Sequence, residues 1–164
     1  MSGAQDLLLG NFSTVAAGYQ IERSLRFNSA DSAYLNWTPG SAGNRKTWTW
    51  SGWVKRGGLG TFQPFFGLIP SGNTQQHYFR FTDTDKLDFA MFTDPSYNGR
   101  LVTTQVFRDV SAWYHIVAVW DTANATAGNR MRLYVNGSEI TAFDTDTNPA
   151  LDTNGYLNNN VQNH

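Results

Sequence analysis

Apolar and polar residues alternate over short stretches along most of the chain, which is the period of a β-strand with one buried face. The strictest alternation begins at residue 47, and in it Trp48 and Trp50 share one face whereas Trp53 does not. We expect Gly52, where the parity changes, to mark a bulge or bend. The same pattern predicts further strands at residues 21–27, 33–37, 62–69, 77–81, 87–92, 101–107, 113–120, 130–135 and 138–142.

Turn-forming residues separate these strands at the spacing typical of a sandwich or barrel. Residues 77–92 are predicted to form a hairpin with its tip at 82–86, and Asn136-Gly137 supplies the positive φ angles of a type I′ turn in a second hairpin. Apolar residues of both parities in residues 113–120 indicate a central strand covered on both faces. No segment shows a sustained helical period, so the pattern predicts an all-β, antiparallel fold.

Composition narrows the classes of partner. Aromatic residues make up 15% of the chain and favour strands. Charged residues are also 15% and the net charge is −1, which gives no electrostatic basis for binding a nucleic acid or an anionic membrane surface. No apolar stretch approaches the roughly 20 residues needed for membrane insertion. The chain has no cysteine, so disulfides, zinc knuckles and thiol nucleophiles are excluded.

Residues 1–19 lack a sustained period and contain Leu7, Leu8 and Leu9 in a row. We interpret them as an N-terminal leader whose leucines dock on a partner, followed by one domain over residues 20–164. No basic residue precedes the leucines, as it would in a secretion signal. The chain is therefore expected to have no signal peptide and to stay in the compartment where it is made.

Three segments resemble, in order, motifs of the concanavalin A-like, laminin-G-like domains. The most specific reads WYHIVAVWD from Trp113 and RLYVNG from Arg132, similar to the family's W-x-H-V-x-x-x-W-D and L-Y-V-N-G. The others are SLRF from Ser24 with AYL from Ala33, and TWTWSGWVK from Thr47. The resemblance implies an antiparallel jelly-roll β-sandwich. Members of the family continue into a closing strand that is not found before residue 164. We expect either that this sequence is the N-terminal part of a longer protein or that the leader or another chain supplies the strand.

The amino-acid sequences of these segments are similar to those of laminin-G-like domains in virion proteins of marine tailed bacteriophages. This resemblance implies a non-enzymatic structural or surface module of a phage fibre, appendage or decoration protein, with a lectin-like domain for attachment to a host or glycan. Its expected location is the virion, and its expected partners are other virion proteins, further copies of the chain and a cell-surface glycan. The alternative is a purely structural assembly or cement module without a ligand.

Catalysis is not expected, and we assign no catalytic residue. Glycoside hydrolases that retain configuration need two carboxyl groups about 5 to 5.5 Å apart. The two glutamates, Glu22 and Glu139, fall on separate predicted strands. A glycoside-active enzyme is the remote alternative, with carboxylates from a hairpin tip where aspartate is expected for turn reasons: Asp83, Asp85 and Asp88. His115 is interpreted as a half-buried imidazole bonded to backbone or a hydroxyl.

Asp144, Asp146 and Asn148 place oxygen atoms at alternate positions of a predicted loop, a pattern that suits Ca²⁺. Pro149 and Gly155 stand where an EF-hand has glycine and glutamate, so the alternative is an ordinary Asx-rich turn. No cofactor is required, and calcium is the one candidate ion.

A sugar site on such a fold needs a flat aromatic face beside hydrogen-bonding side chains. Trp37, Tyr97 and Tyr156 lie in or near predicted loops rich in Asn and Asp, and they are the candidate ligand-binding residues. The tryptophans of the strand motifs are assigned to the core: Trp48, Trp50, Trp53, Trp113 and Trp120.

Overall fold

The computed structural model describes residues 24–69, 72 and 74–159. The predicted docking leucines Leu7, Leu8 and Leu9, and the domain boundary after residue 19, lie outside these residues. The chain divides into two compact units, and the boundary in the sequence falls between Leu35 and Asn36. Within the described ranges, no helix has both the length and the apolar character needed to cross a bilayer.

Residues 24–35 contain a short 3-10 helix, Ser29–Asp31, instead of the predicted strands. Asn28 Nδ2 donates to Asp31 Oδ2 at 2.7 Å, and Ala30 N donates to Asn28 Oδ1 at 3.3 Å. Such local bonds compete with the ladder of a sheet. The prediction of strands at 21–27 and 33–37 is therefore wrong for the described residues of those segments; residues 21–23 lie outside them.

In the described part of the second unit, nine strands form two antiparallel sheets. They are β1 Thr47–Lys55, β2 Gln63–Leu68, β3 Gln75–Phe81, β4 Lys86–Thr93, β5 Ser96–Val106, β6 Trp113–Asp121, β7 Met131–Val135, β8 Ser138–Glu139 and β9 Phe143–Thr147. One sheet has the order β1-β6-β7-β8 and the other β2-β3-β4-β5-β9. Apart from the strands, the described part of this unit holds a 3-10 helix at Ala127–Asn129. The predicted all-β sandwich is confirmed.

Both predicted hairpins are confirmed. β3 and β4 pair in register from Gln75 opposite Thr93 to Phe81 opposite Leu87, with the turn between them. In the β7–β8 hairpin Asn136 has a φ of 51° and Gly137 a φ of 82°, as a type I′ turn requires.

Aromatic side chains from both sheets fill the space between them. Trp120 is completely buried and stacks on Trp48 with ring centroids 6.2 Å apart, while Phe79 and Phe89 approach to 4.4 Å. Offset and edge contacts of this kind add to the free energy of burying the rings. The main aromatic members of the interior are Trp48, Trp50, Phe65, Phe66, Phe79, Phe81, Phe89, Phe107 and Trp120.

Gly52 does not mark a bulge. β1 pairs with β6 through nine consecutive residues without a register shift, and Gly52 occupies an inward position of the regular alternation. A Cβ atom at Gly52 would lie 2.7 Å from the indole ring of Trp50. The residue is glycine because the Trp50 ring lies over it.

β6 is covered on one face, so the prediction of burial on both faces is wrong. Tyr114, Ile116, Ala118 and Trp120 are buried, and the residues between them are half-buried or exposed. Trp113 is 46% exposed, and Trp53 in the neighbouring β1 is 51% exposed. These two tryptophans face solvent, which corrects their assignment to the core. The core assignment of Trp48, Trp50 and Trp120 is confirmed.

Asp85 and Asp88 of the β3–β4 hairpin have structural roles beyond forming its turn. Asp85 accepts a hydrogen bond from Gly60 N at 3.0 Å and forms ion pairs with Arg56 Nη1 at 3.0 Å and Arg108 Nε at 3.1 Å. The Gly60 hydrogen bond and the two arginines outweigh desolvation and hold the pKa of Asp85 below its ordinary value. Asp88 lies inside β4 and is fully buried.

Replacing Trp120 by alanine should lower the free energy of unfolding by about 3 to 5 kcal/mol, because the ring is completely buried between the sheets. Replacing the half-exposed Trp113 should change it by less than about 1 kcal/mol. Urea unfolding followed by circular dichroism measures both. Equal losses in the two variants would contradict the inward and outward assignment of β6.

Candidate functional site

The register between β1 and β6 brings four large side chains together on the outer face of the four-stranded sheet. Trp53 pairs with His115, and Lys55 pairs with Trp113. Alternation along both strands turns these residues away from the interior that Trp50 and Trp120 occupy. A folding requirement on one face of the sheet therefore places this cluster on the other.

These side chains and the β7–β8 turn form an open depression, which we call the tryptophan groove. It is lined by Trp53, Trp113, His115, Asn136 and Gly137 and has a volume of about 550 Å³. The Trp53 and His115 ring centroids lie 5.0 Å apart with an interplanar angle of 32°. The groove thus combines two exposed indole rings with an imidazole and an amide.

Hydrogen bonds hold the polar members of the groove. Ser51 Oγ lies 3.0 Å from His115 Nε2. His115 N donates to Asn136 Oδ1 at 2.9 Å, and Asn136 N donates to His115 O at 2.8 Å. The type I′ turn therefore positions the Asn136 amide against the main chain of His115. His115 is half-buried and bonded to a hydroxyl, as predicted.

The loop that leads into β6 positions Trp113. Ser111 N and Ser111 Oγ both donate to Asp109 Oδ1, and Tyr114 OH donates to Asp109 O at 3.1 Å. These hydrogen bonds from Ser111, with a smaller contribution from the charge of Lys55, lower the pKa of Asp109 below its ordinary value. Because the loop is tied on both sides of Trp113, the start of β6 is held firmly.

The arrangement suits recognition of a sugar more than reaction with one. Indole faces pack against the C–H faces of a pyranose ring, and imidazole and amide groups bond to hydroxyls. None of the described residues that line the groove is aspartate or glutamate. Acid and base catalysis of glycoside hydrolysis needs a pair of carboxyl groups, which this groove does not present.

The predicted sugar-binding residues lie in three different surroundings. Trp37 is 63% exposed and lines a smaller cavity of about 150 Å³ together with Trp48, Trp50 and Phe66, among others. Tyr97 lies on the outer face of the five-stranded sheet, beside Phe92 with ring centroids 5.1 Å apart.

Tyr156 is half-buried, and its hydroxyl is 2.7 Å from Thr93 Oγ1. Trp37, Tyr97 and Tyr156 therefore do not form one site.

Sequence reasoning missed Trp53 and Trp113, although one signal was present. Trp53 falls on the opposite parity to Trp48 and Trp50, and one face of a sandwich strand commonly faces solvent.

The predicted calcium ligands lie on a strand and not in a loop. Asp144 and Asp146 are exposed residues of β9, and Asn148 follows its end. Lys86 Nζ forms an ion pair with Asp144, and Asn148 Nδ2 donates to Asp146 Oδ1 at 3.0 Å. Within the described part of the chain, no three His, Asp or Glu side chains are grouped so as to hold a metal ion.

The fold and a match to a family model place the chain in a known class. Its two antiparallel sheets are those of a jelly-roll β-sandwich, and the Laminin_G_3 family of the concanavalin A-like lectin/glucanases superfamily matches residues 28–161. The chain belongs to this family, which confirms the resemblance of its motifs at that level. A search of curated proteins and a search of solved structures each find no match to the chain.

Calcium binding by Asp144, Asp146 and Asn148 stays a prediction with a thermal test. Millimolar calcium should raise the melting temperature, because binding to the folded state alone stabilises it, and Asp146→Ala should abolish the rise. Lys86→Gln should enlarge the rise, since the ammonium group competes for Asp144. Identical melting curves in calcium and in chelator for the parent and the Lys86 variant would exclude the site.

Proposed function

We propose that this domain is a non-enzymatic, lectin-like module that binds a glycan in the tryptophan groove. The observation that supports the proposal is the exposure of Trp53 and Trp113 beside His115 and Asn136, all four lining one open depression. Sugar-binding sites usually combine exposed aromatic rings with polar groups that converge on the ligand.

Folding alone does not account for the two exposed indoles. Each exposes about half of its surface, although both strands offer inward positions. Contiguous apolar surface on a folded domain marks an interaction site, and tryptophan is the residue that contributes most often to binding energy. The exposure of Trp53 and Trp113 is therefore better explained by contact with a ligand than by contact with water alone.

Binding is favoured over hydrolysis by the composition of the groove. The superfamily is named after both lectins and glucanases. In the described structure, Asp85 and Asp88 form ion pairs with arginines, and Glu139 is an exposed residue of β8 opposite Tyr134. These carboxylates are not arranged as a pair around the tryptophan groove.

We further propose that the module lies on the surface of a virion, as part of a phage fibre, appendage or decoration protein. The proposal is supported by the resemblance of the strand motifs to phage virion domains, in particular that of the segment that starts at Trp113. Other virion proteins and further copies of the chain are the proposed partners. An outward-facing groove on a rigid sheet suits attachment to a host or environmental glycan.

Glycan binding is tested with a glycan array followed by titration calorimetry with the oligosaccharide that binds best. Trp53→Ala and Trp113→Ala should each weaken binding by about tenfold or more, since truncation of a buried contact tryptophan removes roughly 2 kcal/mol. The matched control is Trp37→Ala, which removes an exposed tryptophan from the smaller cavity. If only the Trp37 variant loses binding, the site is misplaced; if no glycan binds, a purely structural module is favoured.

The virion location is tested by immunogold electron microscopy with an antibody raised against the folded domain. Gold particles should decorate the tails, fibres or capsid surface of phage particles. Labelling confined to cellular material would contradict the location without affecting the glycan proposal.

A further inference from the structure

The outer face of the five-stranded sheet carries a cluster of charged and aromatic side chains. Tyr78, Ala90 and Arg100 lie side by side across β3, β4 and β5, and Arg80 pairs with Asp88 in the adjacent row. The residues between them in sequence, such as Phe79 and Phe89, belong to the interior. The small Ala90 leaves room for its large neighbours to close together.

Asp88 holds two arginines with one carboxylate. Arg80 Nε and Nη2 each lie 2.9 Å from Asp88 Oδ2. Arg100 Nε donates to Oδ1 and Arg100 Nη2 to Oδ2, both at 3.0 Å. The Asp88 side chain is completely buried beneath these contacts.

Aromatic rings fix the planes of both guanidinium groups. The Arg80 guanidinium lies 4.5 Å from the Phe62 ring centroid and 4.3 Å from that of Tyr78. The Arg100 guanidinium lies 4.4 Å from the Tyr97 ring centroid. Stacking of this kind orients a guanidinium while leaving its in-plane N–H groups available to other acceptors.

Tyr78 and Arg100 both keep their protons in this cluster. Burial, followed by the charge of Asp88, raises the pKa of Tyr78, so its hydroxyl stays protonated. Burial lowers the pKa of Arg100, but the hydrogen bonds and charge of Asp88 outweigh it and raise that pKa overall. Two guanidinium groups and one carboxylate leave one net positive charge.

The surplus charge remains accessible. The side chains of Arg80 and Arg100 are 20% and 24% exposed. Their Nη1 groups have no hydrogen-bond partner among the described residues, since the contacts to Asp88 use Nε and Nη2. Stability alone does not favour such a cluster, because replacing buried ion pairs by apolar residues is often neutral or stabilising.

We propose that Arg80 and Arg100, held in place by Asp88, bind an anionic group of a glycan, either a carboxylate or a sulfate ester, at a site separate from the tryptophan groove. Tyr97 and Phe62 flank the two arginines and are 39% and 53% exposed, so an aromatic surface adjoins the charge. A sugar ring can contact the aromatic faces while its anionic group accepts hydrogen bonds from the free N–H groups of the arginines. This site does not depend on the proposed function of the tryptophan groove.

The test compares three polymers with the same backbone: dextran, carboxymethyl-dextran and dextran sulfate. Titration calorimetry with the full chain should show binding to at least one anionic polymer and none to dextran at this site. Carboxymethyl-dextran and dextran sulfate separate the carboxylate from the sulfate ester. In the Trp113→Ala variant, in which the tryptophan groove is impaired, binding of dextran as tight as that of the anionic polymers would overturn the proposal.

Arg100→Gln should weaken binding of the anionic polymer by about tenfold, as expected for loss of a charged hydrogen-bond donor. The matched control is Arg108→Gln, which removes the same charge from a 63% exposed side chain and should change affinity by less than about twofold. Melting curves verify that each variant is folded. Equal weakening in both variants would show a general charge effect and overturn the site.

Two further arms keep the result decisive. If Arg100→Gln does not fold, Tyr97→Ala leaves the ion pairs in place and should still weaken binding several-fold. Trp113→Ala should leave anionic polymer binding unchanged, which separates this site from the tryptophan groove. A DNA oligonucleotide that binds as tightly as dextran sulfate, with the same dependence on Arg100, would overturn the assignment to glycans.

Discussion

The alternation of side chains across the paired strands β1 and β6 determines which tryptophans pack in the core and which face solvent. The two strands pair in register over nine residues, and a strand turns every second side chain to the same face. Once Trp50 and Trp120 pack inward against the aromatic interior, Trp53 and Trp113 are directed outward. A shift of one residue would reverse every assignment.

This constraint separates the residues that stabilise the fold from those proposed to bind a ligand. Trp120 and Phe89 lose their contacts with water between the sheets, whereas the tryptophan groove lies wholly on the outer face. The groove is still rigid, because His115 and Asn136 exchange main-chain and side-chain hydrogen bonds at the β7–β8 turn. Preorganised side chains of this kind lose little entropy on binding.

Much of the fold could be predicted from local patterns. The β3–β4 and β7–β8 hairpins and the family motifs depend on residues close together in the sequence. The choice of the inward face does not, since tryptophans occur on both faces of β1 and only packing against the second sheet decides between them. Turn-forming residues around Asn28 bond to each other and displace the expected strands. Asp146 pairs with Leu101 of β5, which is distant in the sequence, so the segment that contains Asp144 and Asp146 is a strand.

The candidate sites were harder to predict, because each is assembled from several strands. In the sequence, Asp88 looks like an ordinary hairpin aspartate. Only the pairing of β4 with β3 and β5 brings Arg80 and Arg100 close to it. Trp113 reads as core until its exposure is known. Single charges or tryptophans in apolar strands are thus informative only when their cross-strand neighbours are known.

The central claim is that the outward tryptophans receive a ligand, and the indole N–H resonances of the six tryptophans test it most directly. Two-dimensional ¹H–¹⁵N NMR during titration with the best-binding oligosaccharide resolves each indole. The account predicts large shifts for Trp53 and Trp113 and small shifts for Trp48, Trp50 and Trp120. Shifts confined to Trp37, with Trp53 and Trp113 unmoved, would contradict it.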